Sequence, residues 1–168
     1  MLDQRTFATF DRLRKEHFPT ERNFLPAHVT LFHALPGQRE AEVRQVLQQT
    51  AGRTSALALS FPSLRFLGRG VAVDVLSSGL LDLRKQLAVA WAEWLSEQDR
   101  QKYRPHVTIQ NKVAAEQAKE LYRSLSAEWV GCVGPGEGLL LWRYLGGPWE
   151  LAAEYLFSGT AVDGESAI

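Results

Sequence analysis

A chain of 168 residues is long enough for one domain with a sizeable core. Its 19 basic and 19 acidic side chains leave a formal net charge of zero, which argues against gripping long duplexes, since that needs a clear Lys/Arg excess. No stretch is long and apolar enough to span a membrane, the opening Met-Leu-Asp-Gln-Arg lacks a signal-peptide core, and the lone Cys132 excludes an internal disulfide and a multi-cysteine zinc site. A reducing cytoplasm is the expected place.

In chain order, Phe7, Phe10, Leu13 and His17 share one face of a helix predicted over residues 4–17. Pro19 and Asn23 mark a turn, and residues 25–34 read as a strand ended by Pro36-Gly37. A helix follows over 38–51. Two strands, 55–67 and 70–77, flank the Gly68-Arg69-Gly70 turn. Residues 79–98 give the clearest helix, with Leu80, Leu83, Leu87, Trp91 and Trp94 at helical spacing. The polar segment 96–104 reads as an exposed connection between two lobes.

The order then recurs: strand 105–112, helix 114–126, strands near 128–133 and 138–145, the Gly146-Gly147-Pro148 turn, and strand 149–157. Gly131, Gly134, Gly136 and Gly138 read as a flexible connection, and Cys132 as a small buried residue. The chain opens on a helix, so only residues 1–3 could begin a strand, and a natural start further upstream stays open. The hairpins imply antiparallel pairing. The predicted fold class is α+β: a duplicated, bilobal unit of two antiparallel sheets about an approximate two-fold axis. It is expected to fill residues 1–158 as one domain, with 159–168 a flexible tail.

The duplication is visible residue by residue. His28-Val29-Thr30-Leu31 recurs as His106-Val107-Thr108-Ile109, and Arg65-Phe66-Leu67-Gly68 as Arg143-Tyr144-Leu145-Gly146. Each arginine follows its histidine by 37 positions (65 − 28 and 143 − 106). Strand alternation puts His28 with Thr30, and His106 with Thr108, while Val29, Leu31, Val107 and Ile109 anchor the other face. If the two strands face each other across a cleft, two imidazoles and two hydroxyls converge. That set suits attack on a phosphodiester. A neutral imidazole takes a proton from water, an imidazolium protonates the leaving oxygen, and the hydroxyls hold the phosphate oxygens. One such tripeptide alone would read as a half-buried strand; two matched copies favour the functional reading. No metal or other cofactor is required, and neither motif has metal-ligand spacing beside it.

Other residues carry weaker signals. Phe32 continues the His28 face and could stack on a base or cap the core; Gln110 is its counterpart. Arg65 and Arg143 could reach a phosphate, but a repeated structural salt bridge is slightly preferred. His33 has the opposite parity to His28. His17 closes a helix, where a cation is favoured. Trp91 and Trp94 read as core, and Trp142 as undecided.

The paired His-x-Thr-x motifs resemble those of the 2H phosphoesterases, the family of 2′-5′ RNA ligases and RNA 2′,3′-cyclic phosphodiesterases. Pro26-Ala27, Tyr103-Arg104-Pro105 and Gly146-Gly147-Pro148-Trp149 are similar too. The resemblance covers roughly residues 5–157. It implies a bilobal fold whose sheets face a central cleft, with helices packed outside. It implies His28 and His106 as acid and base, Thr30 and Thr108 as phosphate grips, and metal-independent opening of a 2′,3′-cyclic phosphate to a 2′-phosphate. Ligation through a 2′-5′ bond, or action on small cyclic nucleotides or ADP-ribose cyclic phosphate, belongs to the same range. Many RNA-processing members carry an Arg soon after the second motif; here Gln110-Asn111-Lys112 stands there, and Lys112 offers a charge without the guanidinium fork. The expected partner is an RNA end or a small cyclic-phosphate nucleotide, with no membrane, and the chain is expected to act as a monomer. A non-catalytic RNA-end binding module and a metallohydrolase are the competing classes.

Overall fold

The computed structural model describes residues 1–160. These residues form five α-helices and seven strands, in chain order α1 (Gln4–His17), α2 (Glu40–Arg53), β1 (Leu57–Phe61), β2 (Leu64–Phe66), β3 (Val71–Asp74), α3 (Ser78–Ala90), α4 (Glu97–Arg100), β4 (His106–Gln110), α5 (Ala115–Glu128), β5 (Cys132–Gly136), β6 (Gly138–Tyr144) and β7 (Trp149–Leu156). Their ladders are antiparallel: β1 with β5, β2-β3-β4 in that order, and β6 with β7. The fold is α+β.

Local chemistry explains most boundaries. Asp3 caps α1 by accepting from the backbone of Arg5 and Thr6. Ser77 caps α3 through the Leu80 amide. The long helix predicted to residue 98 stops at Ala90, and Ser96 caps a fresh turn, α4. The glycine-rich stretch is not a loose connection. It is β5, and a Cβ on Gly134 would fall 2.1 Å from the Thr6 hydroxyl and 2.5 Å from the Asp3 carboxylate. Small residues are needed there because the start of α1 lies against the strand. Cys132, expected to be buried, is exposed. Leu2 bridges to Gly136, so residues 1–3 do extend a sheet edge.

The 78-residue shift between copies becomes a two-fold relation. Val29 bridges to Val107, its own equivalent. Leu57 pairs with Gly136 and Ala58 with Pro135, and the shift exchanges those two pairs. The axis therefore passes through the Val29–Val107 contact and through the β1–β5 ladder. Gly68 and Gly146, also equivalent, share a left-handed backbone at φ 81° and 87°.

The copies are interleaved rather than side by side. β3 of the first copy pairs with β4 of the second. Helix α5 packs on β2 and β3, and α2 packs on β6 and β7. Two core clusters result. One joins Phe10 and Leu13 to Phe61, Leu64, Val71, Val73, Val107 and Ile109. The other joins Val43, Leu47, Leu83, Leu87 and Trp91 to Leu139 and Tyr155. Segment 96–104 is largely exposed, as expected, but it is anchored through Asp99, which is buried and accepts the His33 and Ala34 amides. Ser158 and Gly159 donate to Ala51 and Thr54; the rest of the expected tail, from residue 161, lies outside the described residues.

Gly70 closes the β2–β3 turn against β4, and a Cβ there would fall 2.0 Å from the Gln110 carbonyl. Gly70→Ala is expected to destabilise the protein by about 2–3 kcal/mol, read as a lowered denaturant midpoint.

Candidate functional site

Alternation divides the β2-β3-β4 sheet into two faces. Leu64, Val71, Val73, Val107 and Ile109 enter the core. The opposite face carries Arg65, Asp74, His106 and Thr108, with Asp74 directly across from His106 and Ala72 across from Thr108. The first motif joins this sheet as its outermost member through the Val29–Val107 bridge. The two motif strands are thus antiparallel neighbours, not strands opposed across a gap. That register puts His28 across from Thr108 and Thr30 across from His106, all on one face. Directly opposed residues have Cβ atoms within about 5.5 Å, so the four groups form a compact square.

Each imidazole is oriented in the same way. His28 Nδ1 lies 2.7 Å from the Pro26 carbonyl, and His106 Nδ1 lies 2.9 Å from the Arg104 carbonyl, both two residues upstream. A carbonyl only accepts, so each Nδ1 carries hydrogen and each Nε2 is left for chemistry. Burial pushes the His28 pKa below the ordinary imidazole value; the Pro26 carbonyl opposes this, and the charges of Arg14, the N-terminus and His106 reinforce it. The contacts that fix the threonines run through their carbonyls: Tyr103 donates to Thr30 O at 3.1 Å, and Arg14 to Thr108 O at 2.8 Å. The hydroxyls stay on the site face.

Residues 25–34 form no regular strand beyond Val29, and buried ions hold them instead. In front, Asp11 accepts the Ala27 amide at 3.0 Å, while Arg14 donates to Leu25 O, Asn23 Oδ1 and Thr108 O. Burial lowers the Arg14 pKa to about 10, with Asp11 opposing. Behind, Arg84 donates to Leu31 O at 2.7 Å and Asp99 O at 2.6 Å. The Asp99 carboxylate accepts the amides of His33 and Ala34 and the His33 ring. None of these charged residues belongs to a motif visible in the sequence. A signal was present: Arg14 follows Phe10 by four positions, and Arg84 follows Leu80 by four, so both lie on core-facing stripes.

A model of the 2′-5′ RNA ligase superfamily matches residues 2–148. The chain belongs to that superfamily. A solved structure, TT0787 of Thermus thermophilus, superposes with a TM-score of 0.64 at 16% identity, covering 94% of each chain, which supports the fold. No curated protein matches the chain.

The remaining predicted residues of this superfamily member separate clearly. Phe32 packs edge-on against Trp91 at 5.0 Å, with the Arg84 guanidinium 3.7 Å above its ring. Its ring is taken up by packing, so the base-stacking expectation gives way to the core reading. Gln110 is 3% exposed and its Oε1 lacks a partner among the described residues; it is not a surface contact. Arg65 is on the site face, ion-paired with Asp74, and donates weakly to the Arg104 carbonyl that also orients His106. Arg143 leaves the site altogether. It forks onto Glu40 of α2 at 2.6 and 2.7 Å, holding that carboxyl down at about 2. Lys112 is exposed just past β4 with φ 62°. His33 is hydrogen-bonded to Asp99 through its ring. Among the described residues, no helix is long and apolar enough to cross a membrane, and no cluster of three His, Cys, Asp or Glu is arranged to hold a metal.

Arg84→Met is expected to destabilise by on the order of 2–4 kcal/mol, because two buried carbonyls lose donors worth roughly 1–3 kcal/mol each. Arg84→Lys would recover only part, since one ammonium lacks the guanidinium fork. Urea unfolding of both variants measures this.

Proposed function

We propose that this protein hydrolyses 2′,3′-cyclic phosphates at RNA or oligonucleotide ends to 2′-phosphates, by two-histidine acid–base catalysis without a metal ion. The observation that carries the reading is the Val29–Val107 bridge, which sets two Nε2 atoms and two hydroxyls on one face.

His28 acts as the base. Burial beside Arg14 disfavours its imidazolium, so at neutral pH its Nε2 is free to accept a proton. Water attacks phosphorus opposite the 3′ oxygen and passes its proton to His28. His106, across the sheet from Asp74, delivers a proton to the departing 3′ oxygen. One P–O bond forms and one breaks, leaving a 2′-phosphate and a 3′-hydroxyl. Thr30 and Thr108 donate to the non-bridging oxygens as their charge changes. With a 5′-hydroxyl in place of water, the same step forms a 2′-5′ bond. Exposed Lys112 supplies positive charge towards the strand end. Superfamily membership supports this class of chemistry, and the lone cysteine is in keeping with a cytoplasmic setting.

The test is hydrolysis of a short RNA ending in a 2′,3′-cyclic phosphate, in excess chelator, by wild type, His28→Ala and His106→Ala, each checked for folding. Wild type is expected to release the 2′-phosphate, and each substitution to lower kcat by about 10²–10⁴. Unchanged turnover in both variants would sink the mechanism; loss on chelation with recovery on added metal would favour a metallohydrolase. If RNA ends are untouched, small cyclic nucleotides are the next substrates.

The pH dependence has a definite sign. A depressed His28 pKa keeps the base form available at lower pH, so the acid limb of kcat/KM should fall below the ordinary imidazole value of about 6.5. A limb at or above that value would assign the base elsewhere.

A further inference from the structure

The hairpins β2–β3 and β6–β7 correspond position for position under the 78-residue shift, yet their tips face opposite ways. Leu64, Phe66, Val71 and Val73 match Trp142, Tyr144, Trp149 and Leu151. In the first hairpin Val71 and Val73 are 0% exposed and Leu64 is buried, while Phe66 touches Tyr122 of α5. In the second, Tyr144 is 62% and Leu151 41% exposed. Trp142 and Trp149 are half-buried but join neither core cluster.

A displaced irregularity explains the reversal. In the first copy, residues 61–63 stand opposite only 74–75, between the Ser60–Leu76 bridge and the Leu64–Val73 pair, so the extra residue is on the first arm. In the second copy Leu141 pairs with Ala153 and Trp142 with Leu151, leaving Ala152 extra on the second arm. Moving the extra residue between arms exchanges the faces of the tip. Arg143 accordingly turns to Glu40 on α2. Trp142, Tyr144, Trp149 and Leu151 take the face away from α2. Under the two-fold relation that face is the counterpart of the one bearing Arg65, Asp74, His106 and Thr108. The Tyr144 and Trp149 rings lie 4.9 Å apart at 47°.

We propose that Trp142, Tyr144 and Trp149 form a stacking platform for the nucleobases that precede the cyclic phosphate in a single-stranded RNA. The proposal rests on the RNA-end reading above. Stacking suits this surface because every base has a π-face that an aromatic ring can meet whatever the sequence. A second copy of the chain is a poor occupant. Three aromatic side chains offer at most about 450–750 Å², two of them already half-buried, and a stable interface takes roughly 800 Å² per partner. The platform would give the enzyme a preference for strand ends over mononucleotides.

The experiment titrates a short single-stranded RNA ending in a 2′,3′-cyclic phosphate into the His106→Ala protein and follows tryptophan fluorescence. Trp142→Ala, Trp149→Ala and Trp149→Phe are placed in the same background, with thermal midpoints confirming folding. Quenching is expected, with affinity falling roughly tenfold for each alanine substitution and largely retained by Trp149→Phe. In otherwise wild-type protein, the ratio of oligonucleotide to mononucleotide KM should rise correspondingly. Equal RNA affinity across all variants would overturn the platform. So would wild-type dimerisation in sedimentation that Trp142→Ala abolishes, since the surface would then be a self-interface. The binding readout needs no turnover: absent hydrolysis with intact quenching counts against the catalytic reading, and intact hydrolysis with indifferent variants counts against the platform.

Discussion

A strand with almost no ladder of its own has to be held by something else, and the first motif is such a strand. One bridge, Val29 to Val107, brings it beside β4. Buried charge does the rest. Arg14 ties Leu25 and Thr108 together from one side, and Arg84 and Asp99 secure Leu31, His33 and Ala34 from the other. A backbone hydrogen bond of a ladder fixes only its neighbour, whereas a guanidinium fork can satisfy several carbonyls from different elements. Such groups are tolerated in a core when hydrogen bonds offset the cost of taking the charge out of water. The site's geometry therefore depends on helices α1 and α3 as much as on the strands that carry the histidines.

Putting the site on the axis has a chemical consequence. In the proposed mechanism, two equivalent motifs meeting at one point supply a proton acceptor and a proton donor from a single duplicated element. Exact symmetry would make the two imidazoles interchangeable, and acid–base catalysis needs them different. The surroundings break the tie. His28 lies half-buried near Arg14, while His106 stands across from Asp74. The hairpins break the symmetry again, sending Arg65 to the site and Arg143 to α2. Duplication supplies the paired imidazoles, and local divergence around them makes the two copies unequal.

Interleaving stabilises the arrangement. Because β3 pairs with β4, and each copy's helix packs on the other copy's hairpin, neither half can bury its apolar surface alone. The hydrophobic driving force that assembles the two cores also closes the site. The motif-bearing face is then a by-product of the way the two copies cover one another.

Periodicity and parity along the chain were enough to read the repeat, the α+β class, the antiparallel pairing, and the sharing of one face by His106 and Thr108. These are properties of neighbouring residues, so no distant partner is needed to see them. Other features appear only once the chain is folded. Packing made the motif strands neighbours, drew Phe32 and Gln110 inward, and turned Arg143 towards Glu40. It also made a strand of the glycine-rich segment and buried Arg14, Arg84 and Asp99. Each of those outcomes depends on which distant element arrives, and on where one extra residue falls in a ladder. Local pattern constrains a residue's face, but only the fold says what that face meets.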